Sequence, residues 1–412
     1  MKATIGSPDG LGDFILRLPL IEALLAAGYR LQVVMRPPAA DFAKMLLPEA
    51  EILFLDNCPY NSETKKLRHP FRRELGEIRR FGPDLYIASA FQLNFFDEVF
   101  AEEAPDIRIA GFRTEEDFWP SDTSKDPHEM AAGFAITVSV PSAMPEVEKN
   151  RRLAEALTGT SCGRVAARPP SAEAMESAHR VLGRHGLAGQ KFTVVCAGSR
   201  PGLLKKDWGE ANWEALFCEI GPETQAPFIF FGNPKESSSI ERLRAALPAS
   251  VHSVNLASEP PALDVSYALL SMASSYLGRD SGVMHMAALS GIPLLAVFAG
   301  GHWPRFLPDA AKGIVLTREA PCRGCNFHCP FPEPWCVKTV PVDAVVRAWR
   351  ELPGADTLRV VELPSGDQWS SMARELDVPA YAREQSAAAR TAVAELRNES
   401  AWKKLFAGLT SR

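Results

Sequence analysis

Short apolar runs alternate with amphipathic stretches along most of the chain, and this alternation restricts the fold more than any other feature. In the first half, "LQVVM" (31–35), "ILFLD" (52–56), "DLYIAS" (84–89) and "IRIAGF" (107–112) read as buried strands. In the second half, "FTVVCAG" (192–198), "PFIFFG" (227–232), "SYLGRD" (275–280) and "PLLAVFAG" (293–300) read the same way. Helical patterns lie at 14–27, 209–220, 235–247, 263–273 and 283–290. Near-continuous apolar strands separated by helices predict parallel sheets covered on both faces. Two such series in 412 residues exceed one ordinary core, so the expected class is α/β with two Rossmann-like domains.

The Arg-, Ala- and Pro-rich stretch "RVAARPPSAEA" (164–174) has no core pattern and marks the boundary. Residues 1–165 are then an N-terminal domain and 170–355 a second one. A helical tail is expected over 356–412, on the composition and period of "QSAAARTAVAELRNESAWKKLFAGL".

Charge and hydropathy exclude several classes. Forty-five Lys and Arg against 50 Asp and Glu give a net charge of −5, which argues against a dedicated nucleic-acid binder. No window approaches the ~18 apolar residues of a membrane helix, and "MKATIGSPDG" lacks a secretory apolar region. A cytoplasmic protein is expected. The stretch "KKLRHPFRRELGEIRR" (65–80) is basic; it reads as a solvated helix face or as a surface for an anionic acceptor or lipid headgroups at the inner membrane.

The opening "GSPDGLGDFILRLPLIEAL" (6–24) crowds glycines before the first helix. It does not fit the dinucleotide fingerprint: counting from Gly10 and Gly12, the third glycine would be residue 15, which is Ile15. What remains is a glycine loop that sets Asp13 at a helix mouth, on the sheet edge where open α/β folds bind ligands. Asp13 caps that helix, or it faces a substrate.

Three further strand ends carry chemistry. In "GRDSGVMHMAALSGIPLLAVFAG" (278–300), Asp280-Ser281-Gly282 turns the chain into a helix with His285 in its first turn. Free N–H groups and the helix dipole make such a start an anion site, while an N-cap with a satisfied surface histidine is the alternative. In "AGSRPGLLKKDW" (197–208), Ser199, Arg200, Lys205 and Lys206 can surround a diphosphate without a metal. "FFGNPKE" (230–236) adds Gly232 and Glu236 at the same edge. The chain has no D-x-D pair to hold Mg²⁺ on a nucleotide sugar.

Taken in order, G-x-G-D-x5-P, G-S-R…K-x-W, G-N-P-x-E and D-S-G-x-x-H-x-A-A resemble glycosyltransferase family 9, the ADP-heptose heptosyltransferases. The resemblance runs over about 1–350 and is strongest over 192–300. It implies a GT-B fold and inversion at the anomeric carbon. It also implies that Asp13 is the catalytic base, Lys206 contacts donor phosphate, and Asp280, Ser281, Gly282 and His285 bind donor, with Glu236 near the ribose.

Four of the eight cysteines fall in "CRGCNFHCPFPEPWC", spaced C-x2-C-x3-C-x6-C at Cys322, Cys325, Cys329 and Cys336. The spacing suits a structural iron or zinc site in a reducing compartment; reduced thiols and disulfides are the alternatives. The related autotransporter heptosyltransferases bind iron in a similar four-cysteine finger, and the resemblance extends to Cys322-Arg323-Gly324-Cys325. No cofactor is expected to be needed for catalysis. The reading is therefore a transferase moving a heptose or similar sugar from an ADP-sugar to a hydroxyl of lipopolysaccharide core or protein. A nucleotide-sugar 2-epimerase on the same fold and a non-catalytic metal-stapled scaffold are the alternatives.

Overall fold

The computed structural model describes residues 1–117, 119–199, 204–320, 322–327, 329, 331 and 333–365. The first sheet contains β1 (Lys2–Ser7), β2 (Arg30–Met35), β3 (Glu51–Phe54), β4 (Leu85–Ala88), β5 (Arg108–Arg113) and β6 (Ile136–Ser139). The second contains β7 (Thr193–Cys196), β8 (Phe228–Phe230), β9 (Ser253–Asn255), β10 (Ser275–Arg279), β11 (Leu294–Phe298), β12 (Gly313–Arg318) and β13 (Leu358–Leu363). All pairings in both sheets are parallel. Burial explains this: β4, β7 and β11 are buried at every position, as strands covered by helices on both faces must be.

The first sheet runs β3-β2-β1-β4-β5-β6. Read from β9, the second runs β9-β8-β7-β10-β11-β12-β13, the same order with one strand added. Both reverse direction of build beside their first strand, between β1 and β4 and between β7 and β10. Such switch points leave a crevice at the carboxyl ends of the strands. The two domains turn these crevices toward one another, the GT-B arrangement.

One apolar core crosses the junction, joining Ile5, Leu18 and Ile87 of the first domain to Met284, Leu294 and Phe298 of the second. Ion pairs at Arg151–Asp309 (2.7 Å) and Arg305–Glu146 (2.7 Å) tie the domains together, and Arg168 of the linking stretch pairs with Glu22 (2.9 Å). A second core on the far side of the second sheet is built around Trp208 and Trp213, whose rings meet edge to face at 4.9 Å.

Several elements differ from the sequence reading. The strands β6, β9, β12 and β13 were not expected, because they are short or carry polar residues and stand toward sheet edges. Residues 358–363, expected to begin a helical tail, pair in register with β12 as an edge strand. The rest of that expected tail, 366–412, lies outside the described residues. In the basic stretch 65–80, Lys66, Arg73 and Arg80 close ion pairs with Glu63, Asp56 and Glu77, which neutralises part of its charge. No helix among the described residues is long and apolar enough to cross a membrane.

Candidate active site

The helix Leu11–Ala26 leaves β1, and the helix Gly282–Ser290 leaves β10. Their N-terminal ends meet in the cleft. The meeting is close: a Cβ on Gly12 would lie 2.7 Å from Cδ2 of His285, and one on Gly282 would lie 3.1 Å from the Leu11 side chain. Gly12 of the opening motif and Gly282 thus serve a helix-to-helix approach across the domain junction. This brings two positive helix ends to one place. Gly12→Ala is expected to cost about 1–3 kcal/mol by overpacking, and Gly12→Ala/His285→Ala to recover most of it. Thermal melting of both variants checks this.

A cavity of about 430 Å³ opens at this junction. Asp13, Lys206, Asp280, Ser281, Gly282 and His285 all line it, so six of the expected site residues come together. A second cavity of about 270 Å³ lies beside it in the second domain, lined by Gly232, Asn233, Glu236, Pro260, Arg279 and Ser281 among others. Ser281 belongs to both walls.

Asp13 is the third residue of its helix, and its Oδ2 accepts the Gly10 backbone N–H at 3.1 Å. It therefore caps the helix and faces the cavity at once. Burial pushes its carboxyl up to about 7, helped by the Asp9 and Glu146 charges and opposed by Arg17 and the Gly10 amide. A carboxyl tuned to that value can hold or release a proton near neutrality.

Lys206 Nζ lies 2.8 Å from Asp280 Oδ2, an ion pair between a partly exposed cation and a carboxylate only 3% exposed. Burial opposes the Asp280 charge, but Lys206 more than offsets it and holds the carboxyl below its ordinary range. Ser281 caps its helix, its Oγ accepting Met284 N–H at 3.3 Å. His285 is buried beneath Gly12, and burial lowers its pKa to about 4 despite Asp280. Near neutrality it is an uncharged imidazole, and its Nδ1 has no hydrogen-bond partner among the described residues.

Of the other expected residues, Ser199 and Glu236 make contacts of their own. The Ser199 hydroxyl donates to Asp207 Oδ2 at 3.0 Å and lines neither cavity, because its strand end turns toward the Asp207 loop. Arg200 lies outside the described residues. Glu236 walls the smaller cavity, but both its oxygens are engaged: Oε1 by Arg279 (2.6 Å) and Oε2 by the Asn233 backbone and side-chain amides (2.9 and 2.7 Å).

Other cavity residues carried no sequence signal. Arg17, 3% exposed, pairs with Asp9 at 2.6 Å and donates to Ser7 Oγ. Tyr60 donates to Asp9, and Arg36 donates to the Asp9 carbonyl through Nε and Nη2 (3.2 and 3.0 Å). Glu146 accepts from Lys149 and Arg305 (2.9 and 2.7 Å), which keep it ionised against burial. Of these only Asp9 and Arg17 sit in a legible motif, the opening stretch 6–24. The rest reach the cleft from loops and helices distant in sequence.

Cys322, Cys325 and Cys336 are buried in one apolar cluster with Cys329 packed against it, and all four are free thiols. Burial and the neighbouring thiols raise Cys336 to about 12, and burial raises Cys325 to about 11. The donor set suits a soft metal, but its arrangement does not: among the described residues no group of three His, Cys, Asp or Glu side chains is placed to hold one. His328 lies outside them. The expected metal site is not formed among the described residues, and apolar packing, backbone hydrogen bonds and the Arg323–Glu362 ion pair hold the loop.

Residues 129–328 match the sequence model of glycosyltransferase family 9 (heptosyltransferase). No curated protein matches the chain. Among solved structures, a family 9 glycosyltransferase from Veillonella parvula is similar at 16% identity and a TM-score of 0.65, over 85% of this chain and 96% of that one. The E. coli ADP-heptose LPS heptosyltransferase II is similar at 18% identity and 0.59, over 85% and 98%. E. coli heptosyltransferase WaaC, solved with ADP-2-deoxy-2-fluoro heptose, is similar at 16% and 0.56, over 85% and 99%. These likenesses carry the fold, and the sequence match carries the family. Residues 129–328 are those of glycosyltransferase family 9, and the chain is a glycosyltransferase built on the GT-B frame.

Proposed function

We propose that this protein transfers a heptose, or a closely similar sugar, from an ADP-sugar to an acceptor hydroxyl with inversion. The observation that carries the reading is the pairing, across one cavity, of a proton-accepting Asp13 with the Lys206–Asp280 pair at a helix N-terminus. Asp13 takes the proton as the acceptor hydroxyl attacks the anomeric carbon from the first domain. Lys206 and the Ser281–Gly282 helix start stabilise the departing diphosphate from the second. Asp280 holds Lys206 in place. The uncharged His285 offers a neutral imidazole beside the leaving group. In this reading the cavity walled by Glu236, Asn233 and Arg279 takes the nucleoside. A fold neighbour was solved with ADP-2-deoxy-2-fluoro heptose, which supports an ADP-sugar donor. The acceptor is a hydroxyl of lipopolysaccharide core or of a protein. The partly paired basic segment 65–80 is the surface for an anionic acceptor or membrane lipid. No metal takes part in this scheme.

The test is release of ADP from ADP-heptose with and without an acceptor. Release only with acceptor supports transfer, and acceptor-independent release of nucleotide points to an epimerase. With Asp13 needed as the carboxylate and titrating near 7, kcat/KM should fall about tenfold per unit as pH drops below 7 and level off above it. A flat profile from pH 5 to 8 counts against the base.

A further inference from the structure

The cysteine loop and the Lys206 segment, distant in sequence, meet at one side chain. The loop is stitched to residues 300–302 by backbone bonds, Gly324 N–H to the Gly300 carbonyl (2.9 Å) and Asn326 N–H to the Gly301 carbonyl (2.8 Å). The Gly300 N–H donates in turn to Cys336 Sγ at 3.3 Å. At the loop's tip, Asn326 and Phe327 both adopt left-handed backbone, with φ of 47° and 60°. For a bulky aromatic residue this conformation is costly and persists only where surroundings impose it.

What imposes it is the donor side of the cleft. The Phe327 ring lies 5.2 Å from Lys206 Nζ and meets the His302 ring edge to face at 4.5 Å. It lies against Gly301 so closely that no Cβ would fit there. The Phe327 carbonyl accepts from Lys205 Nζ, and Asn326 Oδ1 pairs with His302 Nε2 at 2.7 Å. Lys206 and His302 both line the main cavity. The ring thus covers one side of the Lys206 ammonium while Asp280 holds another, which leaves the cavity side open.

We propose that Phe327 is a positioning residue for donor binding: its ring, propped by the cysteine loop, fixes the Lys206 ammonium toward the donor's diphosphate. The cysteine loop is then the scaffold of the donor site, beyond any role in stability. This rests on the reading of Lys206 as the donor-phosphate contact. A flexible lysine loses conformational freedom when it grips a phosphate, and a ring that already restricts it reduces that loss. The attraction between ammonium and ring face acts in the same direction.

The experiment measures ADP affinity by calorimetry and the donor KM and kcat for the full-length protein and three variants. Phe327→Leu keeps bulk without the ring, Phe327→Tyr keeps the ring, and Lys206→Ala removes the contact itself. The expected result is ADP affinity about three- to thirty-fold weaker in Phe327→Leu, with donor KM raised to match, kcat within about twofold, and Phe327→Tyr close to wild type. Wild-type ADP affinity in Phe327→Leu, with weakened affinity in Lys206→Ala, overturns the proposal and leaves the donor reading standing. Wild-type affinity in Lys206→Ala overturns the donor reading and the proposal with it. A fall in kcat and melting temperature without a change in donor KM shows a merely structural ring and also overturns it. If Phe327→Leu does not fold, Phe327→Met carries the same measurement.

Discussion

Asp13→Asn should lower turnover about 10²–10⁴-fold, the usual contribution of a general base, while ADP affinity stays close to wild type. Asparagine keeps the size of the side chain and can still accept the Gly10 N–H, so the helix start is preserved. It cannot accept a proton. A carboxyl whose folded pKa is about 7, against 3.8 ordinarily, stabilises the fold most below 3.8 and loses that contribution as pH rises through 7. At pH 8 the wild type therefore carries a buried charge facing Asp9 and Glu146, and Asp13→Asn should melt at an equal or higher temperature. ADP release with acceptor present, at matched folded concentration, decides the catalytic question. A variant that keeps more than about a third of wild-type turnover would leave Asp13 as a helix cap alone.

Lys206→Ala should weaken ADP about ten- to hundredfold, because a charge-assisted contact to phosphate disappears. The same change strands Asp280, which is 3% exposed. Removing one partner of a buried pair costs up to about 3–5 kcal/mol, less what solvent already screens at the quarter-exposed Lys206. In the wild type the Asp280 carboxyl is held below its ordinary range, so its stabilising contribution is present above that range and lost as acid protonates it. In Lys206→Ala that carboxyl should rise, and the melting deficit should shrink as pH falls. Lys206→Ala/Asp280→Asn should restore stability at neutral pH but not ADP affinity. Calorimetry and melting on the single and double variants separate the two effects; recovery of affinity in the double variant would mean that Lys206 serves only Asp280.

Much of this protein is legible in its sequence. Strands such as Leu294–Phe298 are apolar on both faces, and only a covered parallel sheet buries such a run. The motifs around Asp13, Lys206 and Asp280 stand at strand ends because a doubly wound sheet places its ligands there, and the cavity collects all three. Local spacing suffices for these features, since each motif depends on neighbours within one turn.

Other features were decided by contacts between segments far apart in the chain. Gly12 reads as loop freedom until His285, 273 positions later, is found against it. Ser199 matches a donor motif, yet its hydroxyl turns to Asp207. Glu236 matches a ribose contact, and it is Arg279 and Asn233 that hold its carboxylate at the cavity wall. The cysteine spacing suggests a metal, while the clustering of the four thiols with Phe331 and Trp335, and the Gly300 N–H on Cys336 Sγ, are tertiary contacts that spacing does not show. The acidity of Asp13 depends on the depth of its burial and on Asp9, Arg17 and Glu146 around it. Sequence determined which groups are present and which strand end each one occupies. Burial and charge contacts between the two domains, which no local pattern encodes, decided which of those groups face the cleft and in what protonation state.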